Sequence, residues 1–234
     1  MTVVLMFFAM LAGLAGWWLA RQRLTAKPWL EQGVLDGVPD FQLSHDPAKR
    51  TGLSFLLAVI GALFTLVIGA WFMRSDFGDW RALPIPEILW ANTGALILSS
   101  IALEYSQWAV RRGDLLRVRI GLVAAALFAV LFVLGQLEAW WQLYSAGFFV
   151  AGNPANSFFY LVTGLHGLHI LGGLIALVWA IAKAWTAEQA DTVRLKVELG
   201  ATYWLFMLFV WMVLFALLNG WIGEFVAFCQ SLIS

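Results

Sequence analysis

The chain has 234 residues, 62% of them hydrophobic and only 12% charged, with 14 basic and 14 acidic side chains and 14 tryptophans. A soluble domain of this length does not carry so apolar a composition, so the chain is read as an integral membrane protein with no nucleic-acid partner. A helix needs about 20 apolar residues to cross the hydrocarbon core, and six runs approach that length: 3–20, 53–72, 88–110, 120–143, 158–182 and 201–225. The expected fold is therefore all-α, a polytopic membrane helical bundle of six transmembrane helices forming a single domain over 1–234.

The first helix, 1–20, lacks a basic leading segment and a small-residue cleavage site, and its positive flank follows it, so it reads as a retained helix. A polar loop, 21–51, comes next, with Pro28, Pro39 and Pro47 breaking any regular helix. Residues 52–225 form a five-helix bundle whose short connections favour antiparallel neighbours, and 226–234 is a tail containing the lone Cys229, which has no partner for an internal disulfide. Twelve Lys and Arg fall in the loops 21–51, 111–119 and 183–199, whereas only Arg74 and Arg81 lie on the other side. Cytoplasmic loops carry the basic excess, so these three loops face the cytoplasm, and both termini lie outside a prokaryotic inner membrane. Trp17, Trp18, Trp71, Trp80, Trp108, Trp140, Trp141, Trp185 and Trp221 fall near the ends of the runs, as interfacial anchors do.

Carboxylates near or within the runs are few. Glu87 and Glu198 each open a helix, where negative charge complements the helix dipole. Glu104 and Glu138 lie deeper, and each either finds a partner across helices, snorkels, or belongs to a proton path.

The run 158–173, FFYLVTGLHGLHILGG, sets two histidines among glycines. His166 and His169, three apart, project from nearly one face with Thr163 and Gly173, while Gly164, Gly167 and Gly172 lower the helix surface so that neighbouring backbones approach. Two axial ligands must reach a haem iron from opposite sides, which histidines three apart on one straight helix do not do, and the remaining histidine, His45, lies in the polar loop. No cysteine or identifiable third ligand supports zinc or copper. The residues by themselves describe a polar packing seam.

The same run resembles the penultimate-helix signature of subunit III of haem-copper oxidases of the cytochrome c type. Further segments are similar to that family in the same order: 89–100 (LWANTGALILSS), 135–147 (GQLEAWWQLYSAG) and 203–211 (YWLFMLFVW). His45-Asp-Pro-Ala and Trp17–Trp18 with Arg21 resemble earlier family segments, as though the family's first helix were lacking.

The resemblance implies a metal-free partner of catalytic subunit I, with subunit II and small subunits alongside, that stabilises subunit I, supports aerobic respiration and holds phospholipid. Haem and copper are then expected in the partner subunits. On this reading Thr163, Gly164, His166, Gly167, His169 and Gly173 pack the bundle, and Trp17, Trp18, Arg21 and His45 contact lipid headgroups. Glu104 and Glu138 are the proton-related candidates. Ile60, Leu205 and Leu208 stand where the family carries polar side chains, which implies a smaller direct proton role. An accessory protein of a quinol oxidase or nitric oxide reductase, and from other classes a small transporter or a membrane cytochrome, are the competing readings.

Overall fold

The computed structural model describes residues 46–221. The expected helix 1–20, residues 21–45, the end of the last run beyond residue 221 and the tail 226–234 lie outside the described residues, as do Trp17, Trp18, Arg21, His45 and Cys229. The described residues form α1 (Asp46–Ser75), α2 (Ile88–Arg111), α3 (Leu115–Ser145), a 3-10 turn (Val150–Gly152), α4 (Pro154–Thr186) and α5 (Asp191–Leu218), with no strand among them. All five helices are long and apolar enough to cross a bilayer.

The helices extend past the apolar runs because polar residues cap them. Asp114 Oδ1 accepts from the Arg117 N–H at 3.1 Å, starting α3 five residues before the expected 120. Asn153 Oδ1 accepts from the Ala155 N–H at 3.3 Å ahead of Pro154, starting α4 four residues before 158. At the other end of α4, the Arg119 guanidinium reaches across from α3 to the carbonyls of Ala184 at 3.0 Å and Ala187 at 3.3 Å, where a cation suits the helix C-terminus. Glu198 does not open the last helix as expected, because α5 begins at Asp191; Glu198 lies in its third turn, largely buried, with Arg194 Nε at 3.1 Å.

The described residues fall into two units, divided between residues 58 and 59. In the first, the described residues 46–58 are helical, and the Ser54 hydroxyl donates to the Arg50 carbonyl at 3.0 Å. The second contains residues 59–75 of α1 and all of α2 to α5.

Within the second unit, α2 to α5 close into an antiparallel four-helix bundle, each helix touching the next and α5 returning to α2. The α2–α3 turn is only Arg112–Asp114, and Gly113 has φ +74°, a left-handed conformation that glycine adopts without strain. From that turn the two helices run together along matched seams. Among the buried positions, one row on α2 runs Leu89, Asn92, Leu96, Ser99, Leu103, Ser106 and Val110, flanked by buried Thr93, Ser100 and Ala109; the row on α3 runs Val118, Leu122, Ala125, Ala129, Phe132, Gln136, Ala139 and Leu143, with buried Gly121 beside it. Both rows alternate steps of three and four, the heptad spacing that keeps one helix face against its partner. A Cβ on Gly121 would lie 2.9 Å from the Ala102 carbonyl oxygen and 2.9 Å from Ser106 Cβ, so the backbones approach closely. Ser99 Oγ donates to the Ala125 carbonyl at 2.8 Å and Ser106 Oγ to the Val118 carbonyl at 3.1 Å across the same seam.

The part of α1 in this unit packs on α4 and α5. A Cβ on Gly61 would rest 3.6 Å from Phe206 Cζ, and Trp71 meets Phe158 edge-on at 5.8 Å.

Candidate functional site

Asn156, Thr163 and His166 of α4 are buried, His166 fully. Its Nε2 lies 3.1 Å from the Met207 carbonyl oxygen of α5. A carbonyl only accepts, so the ring proton is assigned to Nε2, and Nδ1 has no partner. Phe132 of α3 meets the imidazole edge-on at 5.6 Å, Phe64 of α1 at 6.3 Å, and Trp211 of α5 lies tilted at 5.0 Å.

Two tryptophan N–H groups complete the seam. Trp211 Nε1 donates to Thr93 Oγ1 on α2 at 2.9 Å, and Thr93 Oγ1 donates in turn to the Leu89 carbonyl at 2.8 Å. Trp140 Nε1 donates to Thr163 Oγ1 at 3.0 Å, and Thr163 repeats the arrangement with the Phe159 carbonyl at 2.7 Å. A hydroxyl both donates and accepts, so one threonine satisfies its own helix and a neighbouring indole together. Trp140, expected as an interfacial anchor, therefore turns one face inward.

His169 diverges from its neighbour. It is half-buried, its Nδ1 lies 2.8 Å from the Leu165 carbonyl of its own helix, and Phe64 covers it at 5.6 Å. Its backbone carbonyl accepts the Tyr203 hydroxyl of α5 at 2.7 Å.

The glycines divide as well. A Cβ on Gly173 would lie 2.7 Å from Tyr203 Cε1 and 2.8 Å from Trp204 Cζ3, and one on Gly164 would rest 3.5 Å from the Trp140 ring. Gly167 and Gly172 have open space around the Cβ position, which corrects the expectation that both serve close packing within the chain. Helix geometry explains this: Gly173 shares the buried stripe of His166 and Ile170, whereas Gly167 and Gly172 fall one residue off it.

Of the carboxylates, Glu104 is exposed on α2 and Glu138 is exposed on α3, accepting from Gln142 Nε2 at 3.1 Å. Neither joins the seam. Glu87 takes the N-cap position of α2 but makes no side-chain capping bond. Ile60 is buried, whereas Leu205 is 54% exposed on the outside of α5.

The residues missed from the sequence are Thr93, Trp211, Tyr203 and the buried amides Asn92 and Gln136. For the two amides the signal is the three-four spacing of α2 and α3, which places Asn92 between Leu89 and Leu96 and Gln136 between Phe132 and Ala139 on the inward stripes. Asn92 Nδ2 and both polar atoms of the Gln136 amide are buried without a partner, and Asn92 lies against Gly135.

His166 Nε2, the Trp140 and Trp211 Nε1 atoms and the Tyr203 hydroxyl are each directed at a carbonyl or hydroxyl of another helix, an arrangement that joins helices. Among the described residues no three His, Cys, Asp or Glu side chains are grouped to hold a metal ion.

A family model described as cytochrome c oxidase subunit III matches residues 79–223, a stretch that contains α2 to α5 entire. The chain is 30% identical over 150 residues to a probable cytochrome c oxidase subunit 3 of Mycobacterium leprae, covering 64% of this chain and 71% of that protein. It is 33% identical over 144 residues to the corresponding Mycobacterium tuberculosis H37Rv protein, covering 60% and 71%. Against cytochrome c oxidase subunit 3 of Oryctolagus cuniculus it is 24% identical over 247 residues, covering 94% of this chain and 93% of that protein.

Proposed function

The chain belongs to the cytochrome c oxidase subunit III family, and we propose that within the oxidase it is the metal-free subunit that braces the large catalytic subunit. Haem and copper reside in the partner subunits on this reading, and the chain holds phospholipid and contributes no redox centre. The prokaryotic inner membrane is the expected location, with both termini outside, a reading supported by the distribution of Lys and Arg among the loops.

The observation that carries the proposal is the engagement of the histidine pair. His166 is directed at the Met207 carbonyl and His169 at the Leu165 carbonyl, so each imidazole completes the bundle's own hydrogen bonding. A haem-ligating pair would instead approach iron from opposite sides.

The test is purification in mild detergent through a tag on this chain, followed by a reduced-minus-oxidised spectrum. A large haem-bearing subunit is expected to accompany the chain, and His166→Phe or His169→Phe is expected to leave haem content per large subunit unchanged. A Soret band on the isolated chain, or the absence of any haem-bearing partner, overturns the proposal. A proton-related role for Glu104 and Glu138 belongs to the same reading. Slower proton uptake in Glu104→Gln or Glu138→Gln supports it, and unchanged kinetics removes it.

A further inference from the structure

The α2–α3 seam keeps a constant register. Ser106 donates to the Val118 carbonyl and Ser99 to the Ala125 carbonyl, so the two contacts are seven residues apart on each helix, running in opposite directions. The next step of seven sets Asn92 opposite Phe132. Here an amide takes the place of the hydroxyl, and the direct bond to α3 is missing: Asn92 Nδ2 has no hydrogen-bond partner among the described residues.

Three more unpaired atoms lie close by, Oε1 and Nε2 of Gln136 and Nδ1 of His166. The Asn92 amide lies against Gly135, the residue before Gln136, with Nδ2 3.2 Å from a Cβ placed there. Phe132, one turn before Gln136 on the same stripe, meets the His166 ring at 5.6 Å. Helical side chains lean toward their own N-terminus. Gln136 therefore leans back toward the level of Phe132, where the His166 ring lies, while Asn92, on an antiparallel helix, leans the opposite way to meet it.

The unpaired atoms are complementary. Asn92 Nδ2 and Gln136 Nε2 only donate, Gln136 Oε1 only accepts, and His166 Nδ1 accepts because the ring proton is on Nε2, toward the Met207 carbonyl. Asn92 is 3% exposed, Gln136 4% and His166 0%, so solvent does not satisfy them. An unpaired amide is costly in such an interior, and the partners have to come from the layer itself. The remaining unpaired side-chain atoms among the described residues, Asn156 Oδ1 and Trp204 Nε1, lie apart from it: Asn156 is ten residues before His166, and Trp204 packs against Gly173.

We propose that Gln136 is the positioning residue of a hydrogen-bond relay through the bundle. Rotation about its side-chain torsions lets Oε1 accept from Asn92 Nδ2 and Nε2 donate to His166 Nδ1, and His166 Nε2 passes the chain on to the Met207 carbonyl. The relay joins α2, α3, α4 and α5 in sequence, and Trp211 on Thr93 closes α5 back on α2. Gln136 also fixes the histidine tautomer, since an accepting Nδ1 keeps the proton on Nε2. The relay belongs to this chain alone and goes beyond its assignment to an oxidase.

The experiment uses the full-length chain in mild detergent with isotope-labelled histidine, read by nitrogen NMR, the His166 resonances being assigned by their loss in His166→Phe. In the wild type, His166 is expected as a single Nε2–H tautomer whose Nδ1 resonance is that of a hydrogen-bonded acceptor. Gln136→Met keeps the length of the side chain without its amide. It is expected to move Nδ1 to the position of an unbonded imine nitrogen and to lower the unfolding midpoint by about 4–8 °C, the scale of two hydrogen bonds in a domain of this size. Asn92→Leu removes only the first link and is expected to lower the midpoint by about half as much. A wild-type Nδ1 resonance at the unbonded position overturns the relay without recourse to any variant. So does an unchanged Nδ1 resonance in Gln136→Met, or a midpoint at or above wild type in either variant, which is what replacing an amide that never pairs by an apolar side chain produces.

Discussion

Gly173 and Gly167 lie on one helix six residues apart, and alanine should affect them oppositely. At Gly173 a methyl group would enter 2.7 Å from Tyr203 Cε1 and 2.8 Å from Trp204 Cζ3. Neither ring yields easily, since the Tyr203 hydroxyl is held on the His169 carbonyl at 2.7 Å and Trp204 is buried. Overpacking of this kind costs about 1–3 kcal/mol, and swinging Tyr203 aside would lose a hydrogen bond of about 1 kcal/mol. The gain in helix propensity from Gly to Ala returns about 1 kcal/mol, leaving Gly173→Ala less stable by about 1–3 kcal/mol. At Gly167, where nothing lies within 4 Å, only the propensity gain operates, and Gly172→Ala should behave alike. The two classes should differ by about 2–4 kcal/mol, and at about 2–4 °C per kcal/mol for a domain of this size the midpoints should separate by roughly 4–16 °C. Thermal unfolding of the isolated chain in mild detergent, followed by tryptophan fluorescence, measures this. Gly173→Ala as stable as wild type, or Gly167→Ala falling with it, would refute the close-approach account of α4 on α5.

Trp211→Phe removes the donor to Thr93 while keeping an aromatic ring, and is expected to cost about 1 kcal/mol, the net worth of one hydrogen bond. A double-mutant cycle with Thr93→Val should return a coupling of similar size, and additivity would show the two residues to be independent. Phe64→Ala should destabilise the contact of α1 with the histidine side of α4, because the ring covers both His166 and His169. Increased quenching of tryptophan emission by a lipid-phase quencher would report the opening, and unchanged quenching would contradict it. In the loop after α1, the Arg74 guanidinium holds the Asp79 carboxyl below its ordinary range, chiefly by a hydrogen bond at 2.7 Å. A depressed folded-state pKa contributes stability above the unfolded-state value and loses it as pH falls through the folded one. The acid limb of the unfolding profile should therefore flatten slightly in Asp79→Asn, a small effect because the pair is solvent-exposed; an unchanged limb would show the pair contributes nothing measurable.

Helix number and order over residues 46–221 were legible because each span is long and apolar, and the histidine seam was legible because imidazoles within such a run stand out. Two features were hidden for opposite reasons. The helix ends lie in polar sequence, where Asp114 and Asn153 act through single capping bonds that hydropathy does not register. The inward face of α2 combines Asn92, Ser99 and Ser106 with leucines, so polarity alone does not identify it; only the three-four spacing does. Gly167 and Gly172 were read with Gly164 as lowering the helix surface for a neighbour, whereas a Cβ on either would meet nothing within 4 Å and the close approach to α5 falls at Gly173. Tryptophans near helix ends were read as anchors on position alone, a criterion blind to an indole such as Trp140 that reaches a threonine on the next helix.

Hydrocarbon surrounds and competes with every apolar contact, so helices in a membrane associate through close packing and polar bonds more than through the hydrophobic effect. A helix backbone offers such bonds asymmetrically: its N–H groups are consumed by the ladder, but each carbonyl oxygen has a second lone pair. Side chains that donate can use that capacity, as Ser99 does at Ala125, Ser106 at Val118, His166 at Met207 and Tyr203 at His169. Histidine in this position works as a long donor that reaches a carbonyl on the next helix. Carboxylates find no equivalent acceptance from a helix interior. That asymmetry turns His166 into an internal fastener of α4 on α5.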